Sequence, residues 1–352
     1  MRRTAAIEWL AGLAIGACAG FLFARVGTPI PWMLGPLLAL ALLRVAGVAI
    51  AAPPGGRQVG QWIIGTALAL YFTPQVVREV AGSWPLLVAG AAFAIVLGYA
   101  AGVVLARLAR LDVTTGIFAS VPGGAAEMTI LSERFGARID RVAAAQSLRI
   151  MIVVLVVPAA YVVLGLHGSD LYVPGTAEIR GGGLAMLMAA TLAGGAVAQW
   201  MKLPNAFVLG ALAVAIPLTA LDVHLSAMPT VGSNAGQCLL GCALGARFDR
   251  DFLRGAPRFV GAVVVTVLGA IVVAIAFGWL LAVLAGLNPA TISLGMAPGG
   301  IAEMCITAKA LQLGVPFVTA FHVTRLVALL LLTAPLFGRV RAWHRRREGG
   351  GR

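Results

Sequence analysis

Pro122-Gly123-Gly124-Ala125-Ala126-Glu127-Met128 and Pro298-Gly299-Gly300-Ile301-Ala302-Glu303-Met304 are two copies of one heptapeptide that differ at one position. Each copy lies in an apolar stretch, and an arginine follows each at the same distance, Arg149 and Arg325. A Pro-Gly-Gly run breaks a helix. Within a bilayer the freed peptide groups meet no water, so such a break must be buried in protein or line a cavity. Broken helices at matching places in two halves of a chain point to a transporter's binding site.

The repetition extends outward from the heptapeptides. An offset of 175 or 176 residues places Pro29 and Gly35 on Pro204 and Gly210, Gly60-Gln61 on Gly236-Gln237, Gly65 on Gly241 and Phe72 on Phe248. An offset held over almost the whole chain indicates internal duplication.

The 352 residues are 60% hydrophobic and 11% charged, against roughly 25% charged in soluble domains. Several apolar runs approach the ~20 residues that cross a bilayer. The net charge of +13 fits the gathering of Lys and Arg in cytoplasmic loops. No nucleic-acid-binding signature stands in polar sequence. The four cysteines, Cys18, Cys238, Cys242 and Cys305, lie in apolar segments and read as small core residues.

The basic residues also choose a topology. Subtracting Arg149 and Arg325 from the 26 Lys and Arg leaves 24. Twelve crossings would divide these almost evenly between the two sides, whereas two re-entrant hairpins leave only Arg25, Arg78, Arg180 and Lys309 outside. The expected fold is an all-α polytopic membrane protein with two inverted halves, about ten transmembrane helices and two re-entrant Pro-Gly-Gly helical hairpins. Residues 1–166 form the first repeat, 167–182 an external linker, 183–338 the second repeat and 339–352 a basic cytoplasmic tail. The expected location is a bacterial inner membrane with both termini cytoplasmic.

Candidate binding residues follow from depth and chemistry. Glu127 and Glu303 are carboxylates at membrane depth, where an acid is costly and by default marks a proton, ion or substrate path. Each also stands where it can bond the N-terminus of the helix after the break. Arg149 and Arg325 fall near mid-bilayer and need partners there. Those partners are either the two acids or an anionic substrate matched to the guanidinium fork. Gln61 and Gln237 begin short Gly-bearing segments, and Gln146 and His322 stand three residues before the two arginines. Pro122, Gly123, Gly124, Pro298, Gly299 and Gly300 supply free N–H groups and positive helix ends.

The duplicated Pro-Gly-Gly-x-Ala-Glu-Met motif, the Gly-Gln segments and the arginine after each motif resemble the AbrB-type membrane protein family, over nearly all of the chain. That family is also catalogued under an ammonia monooxygenase name and carries the same duplicated domain. The helix break is similar to that of bile-acid/sodium symporters, although their Asn after the break is replaced here by Glu-Met. A monooxygenase would need metal ligands, and His167, His224, His322 and His344 are scattered. The regulator name is shared with a small soluble DNA-binding protein of different architecture.

The expected function is secondary transport of a small organic anion by alternating access, coupled to protons or sodium. A membrane-embedded regulator or sensor affecting gene expression is the alternative; a cation antiporter or a monooxygenase is less favoured. No catalytic residue, cofactor or metal is expected. The expected partners are the bilayer and a small-molecule or ion substrate, with no direct nucleic acid and a homodimer as one arrangement.

Overall fold

Asp112 and Asn288 each accept a hydrogen bond from the backbone N–H three residues on, at Thr115 and Thr291, and so open two eight-residue helices. Both helices stop short of a Pro-Gly-Gly run because proline cannot continue the ladder. The computed structural model describes residues 2–123, 125–169, 174–175, 178–248 and 256–349, with side chains except at 2–5, 125–127 and 333–349.

Among the described residues all regular structure is helical. The first part of the chain forms α1 (Arg2–Val26), α2 (Pro31–Val45), α3 (Gly56–Ala69), α4 (Pro74–Gly82), α5 (Trp84–Ala109), α6 (Val113–Ser120), α7 (Ala125–Arg134) and α8 (Ile139–Val163). The second forms α9 (Gly181–Trp200), α10 (Ala206–Ala220), α11 (Thr230–Gly245), α12 (Pro257–Ala285), α13 (Pro289–Met296), α14 (Ile301–Ala310) and α15 (Val315–Gly349). Six segments are long and apolar enough to cross a membrane, within α1, α5, α8, α9, α12 and α15. α2 and α10 are apolar but shorter. The chain is an α-helical membrane protein. Helix α4, nine residues long, was not evident in the sequence because its apolar and polar residues alternate too briefly to stand out.

Helices pack by exchange between the two parts of the chain. α2 lies on α11 while α10 lies on α3; α5 lies on α15 while α8 lies on α12. Two groups result, α1–α3 with α9–α11 and α5–α8 with α12–α15. They meet where α14 and α15 touch α3, and α4 bridges α10 and α15.

The helix breaks make hairpins. Thr115 Oγ1, at the start of α6, accepts from the N–H of Arg138, beyond the end of α7, at 2.9 Å. Thr291 Oγ1 accepts from the N–H of Gly314 at 3.1 Å in the same way. Each hairpin therefore ends beside the point where it began. Glycines let the long neighbouring helices approach: a Cβ on Gly102 would stand 2.5 Å from Ile117 Cα, and one on Gly278 2.6 Å from Ser293 Cα. Gly102→Ala and Gly278→Ala are each expected to cost about 1–3 kcal/mol by overpacking. Thermal unfolding in detergent checks this, with Gly82→Ala, where a Cβ meets open space, as the control.

Candidate functional site

Ending α6 at Ser120 leaves carbonyls without helical partners, and side chains from α8 take them. Gln146 Nε2 donates to Phe118 O at 2.8 Å and Val121 O at 3.0 Å, and Arg149 Nη1 donates to Val121 O at 3.0 Å. On α15, Arg325 donates to Ala297 O at 2.7 Å and Gly299 O at 2.6 Å. The arginines thus hold the carbonyl end of the first helix of each hairpin, where the dipole favours a cation. Neither has a carboxylate within ion-pair distance among the described residues. Both are 5% exposed, and the Nε of each has no partner.

The N-terminus of α14, the second helix of the second hairpin, lines the same cavity as these cations. Gly300 is the N-cap of α14 and Glu303 its third residue. The Glu303 carboxylate folds back over Gly300 so closely that a Cβ there would collide with it. Even so, no side chain makes the cap hydrogen bond. Glu303 is 9% exposed, and its carboxylate has no hydrogen bond among the described residues. The expected bond to its own helix end is therefore not formed, although Glu303 still lies at the positive end of the dipole.

These groups enclose a cavity of about 40 Å³. Pro122 and Gly123 of one hairpin and Gly299, Gly300 and Glu303 of the other line it, with Arg149, His322 and Arg325 beside them. His322 is fully buried; its Nδ1 pairs with Val318 O at 2.9 Å and its Nε2 has no partner. The opposite wall is α3 and the start of α10. There Asn205 Oδ1 accepts from Gln61 Nε2 at 3.0 Å and from Arg57 Nη2 at 3.3 Å. The described charged side chains around the cavity are three guanidiniums and one carboxylate. Arg149 and Arg325 both line this cavity. Guanidinium does not shed its charge in proteins, and a buried cation without a counter-charge is costly.

The other sequence candidates fall into different places. Gln146 holds the hairpin and does not line the cavity. Pro298 borders two small neighbouring cavities, one beside Arg149 and one beside Arg325. Gln237 lines a separate, larger cavity. Gly124 and the Glu127 side chain lie outside the described residues. Arg57 and Asn205 were not anticipated. Arg57 stands four residues before Gln61 and so shares its helix face. Asn205, directly after Pro204, takes a left-handed φ of 46° that few side chains other than Asn tolerate.

Residues 32–341 match the family model described as Transition state regulatory protein AbrB. The chain belongs to the AbrB family. It is similar to "Uncharacterized protein YhjN" of Bacillus subtilis (strain 168), 26% identical over 92% of this chain and 91% of that one. It is also similar to "Putative regulator AbrB" of Escherichia coli (strain K12), 24% identical over 95% of this chain and 96% of that one. The residues matched to the AbrB family include both hairpins and every side chain around the 40 Å³ cavity. Among the described residues of this AbrB family member, no three His, Cys, Asp or Glu side chains gather as metal ligands would.

Proposed function

We propose that the protein is a secondary transporter that moves a small organic anion across a bacterial inner membrane by alternating access. One observation carries this reading: two hairpin tips from separate parts of the chain line one cavity whose described charges are mostly guanidinium. In this reading the two parts are inverted repeats with about ten crossings, the hairpins enter from opposite faces, and the tips meet near mid-bilayer. The exchanged packing of α2 with α11 and α10 with α3 supports that symmetry.

One water needs ~10–15 Å³ of such space, so about 40 Å³ takes a carboxylate group or a few waters. In this reading the cavity takes only the substrate's charged end. Arg149, Arg325 and the N-terminus of α14 bind the anion. Glu303, buried and without a hydrogen bond, carries the coupling proton. Access alternates when the α5–α8/α12–α15 group shifts against the other group along α3.

The regulator named among the relatives suggests a second reading, in which the same cavity senses an anion without carrying it. Uptake of a panel of labelled carboxylates into proteoliposomes separates the two. Saturable flux of an anion supports the carrier. Anion binding with no flux supports the sensor, and flux of a cation alone rejects both.

A further inference from the structure

A second cavity, of about 270 Å³, lies further along the seam between α3 and α14. Gln61 and Glu303 face the first cavity; Ile64 and Ile306, three residues on along the same helices, face the second. The two chambers are thus about one helical turn apart. On one wall the larger cavity is apolar, with Trp32, Leu68 and Ile306. The other wall is α11, whose Ser233 and Gln237 share a helix face, with Asn234 beside them. Ser233 is 6% exposed, and its Oγ has no hydrogen-bond partner. The Lys309 ammonium also lines the chamber and stands 5.8 Å from the centroid of the Tyr71 ring.

An orphaned buried hydroxyl, two amides, a cation and an apolar wall form a built site for a ligand with one charged end and one apolar end. The offset of 176 residues reinforces this: Ser233 and Gln237 occupy in the second part of the chain the places that Arg57 and Gln61 occupy in the first. The same position on the framework helices thus faces a small charged chamber in one half and a larger amphiphilic one in the other.

The geometry points to this larger cavity as a loading site for monocarboxylates that carry an aromatic or branched apolar body. The carboxylate is held by Lys309 and the Ser233/Gln237 wall, and the body lies against Trp32. The inference rests on the anion-carrier reading and narrows its substrate class. It also gives Gln237 and Lys309 a role that the smaller cavity does not.

Benzoate is the probe, titrated into purified full-length protein in detergent while tryptophan fluorescence is read. Saturable quenching is expected, and Trp32→Phe removes it. Lys309→Gln weakens binding about tenfold, the worth of one charge-assisted hydrogen bond, and Lys309→Arg restores it. Gln237→Leu also weakens binding, while acetate, which lacks the body, competes poorly. Benzoate binding that is unchanged in both Lys309→Gln and Gln237→Leu overturns the proposal. So does quenching by dodecanoate with none by benzoate, which would make the chamber a lipid site. Binding lost in Arg325→Gln but kept in Lys309→Gln confines the anion to the smaller cavity, overturning this site and leaving the carrier intact. Binding at the larger cavity as described, without flux in proteoliposomes, upholds the site and removes the transport reading.

Discussion

Arg325→Gln is expected to lower saturable anion uptake by about 10²-fold, the loss of one to two charge-assisted hydrogen bonds in a site shielded from water. Arg325 does two things at once. Its Nη atoms hold the carbonyls of Ala297 and Gly299, and its positive charge faces the cavity with an unpartnered Nε. Glutamine keeps a donor for a carbonyl but gives up the charge. Arg325→Lys keeps the charge and loses the fork, so it should retain an intermediate rate. A purely structural arginine would order the variants differently, with Gln and Lys equally impaired and both melting early. Initial rates in proteoliposomes, read beside thermal unfolding of the same preparations, distinguish these outcomes.

Glu303→Gln is expected to tighten anion binding and yet stop uptake driven by a proton gradient. The physical reason is charge. Glu303 contributes the one described carboxylate facing three guanidiniums across the cavity, so an amide leaves the site more positive. A unit charge ~6 Å from the anion, at an effective dielectric constant of ~20, contributes about 2–3 kcal/mol. That corresponds to roughly 30- to 150-fold in affinity. The amide cannot bind and release the coupling proton, so gradient-driven uptake falls to the leak rate while anion-for-anion exchange continues. Paired measurements of equilibrium binding and pH-driven uptake test this. Weaker binding together with lost exchange would show that Glu303 only supports the fold of α14.

How much of this was legible beforehand depends on how local each signal is. The hairpins could be read because Pro122-Gly123 and Pro298-Gly299 act on their own backbone; the Asp112 and Asn288 caps, equally local, were not picked out. The return of each hairpin to its origin rests on Thr115 with Arg138 and Thr291 with Gly314, pairs set by the fold. Arg149 and Arg325 stood out as buried charges, but their acceptors are backbone carbonyls, which every residue possesses and no sequence marks. The expected choice between pairing with Glu and binding an anion therefore omitted the bonds that are actually made. Asn205 and Arg57 reach the cavity through the packing of α10 on α3, a long-range arrangement. Gln61 and Gln237, alike in sequence, face chambers of different size, a difference set by long-range packing and not by their own segments.

The central claim, that the two hairpin tips enclose a site for negative charge, is tested most directly by an experimental structure of the protein in bromide, located by its anomalous scattering. Bromide is small enough for a cavity of about 40 Å³. The prediction is a peak between Arg149, Arg325 and the N-terminus of α14 that disappears in Arg325→Gln. An empty cavity at saturating bromide, or a cation bound there by Glu303, would contradict it.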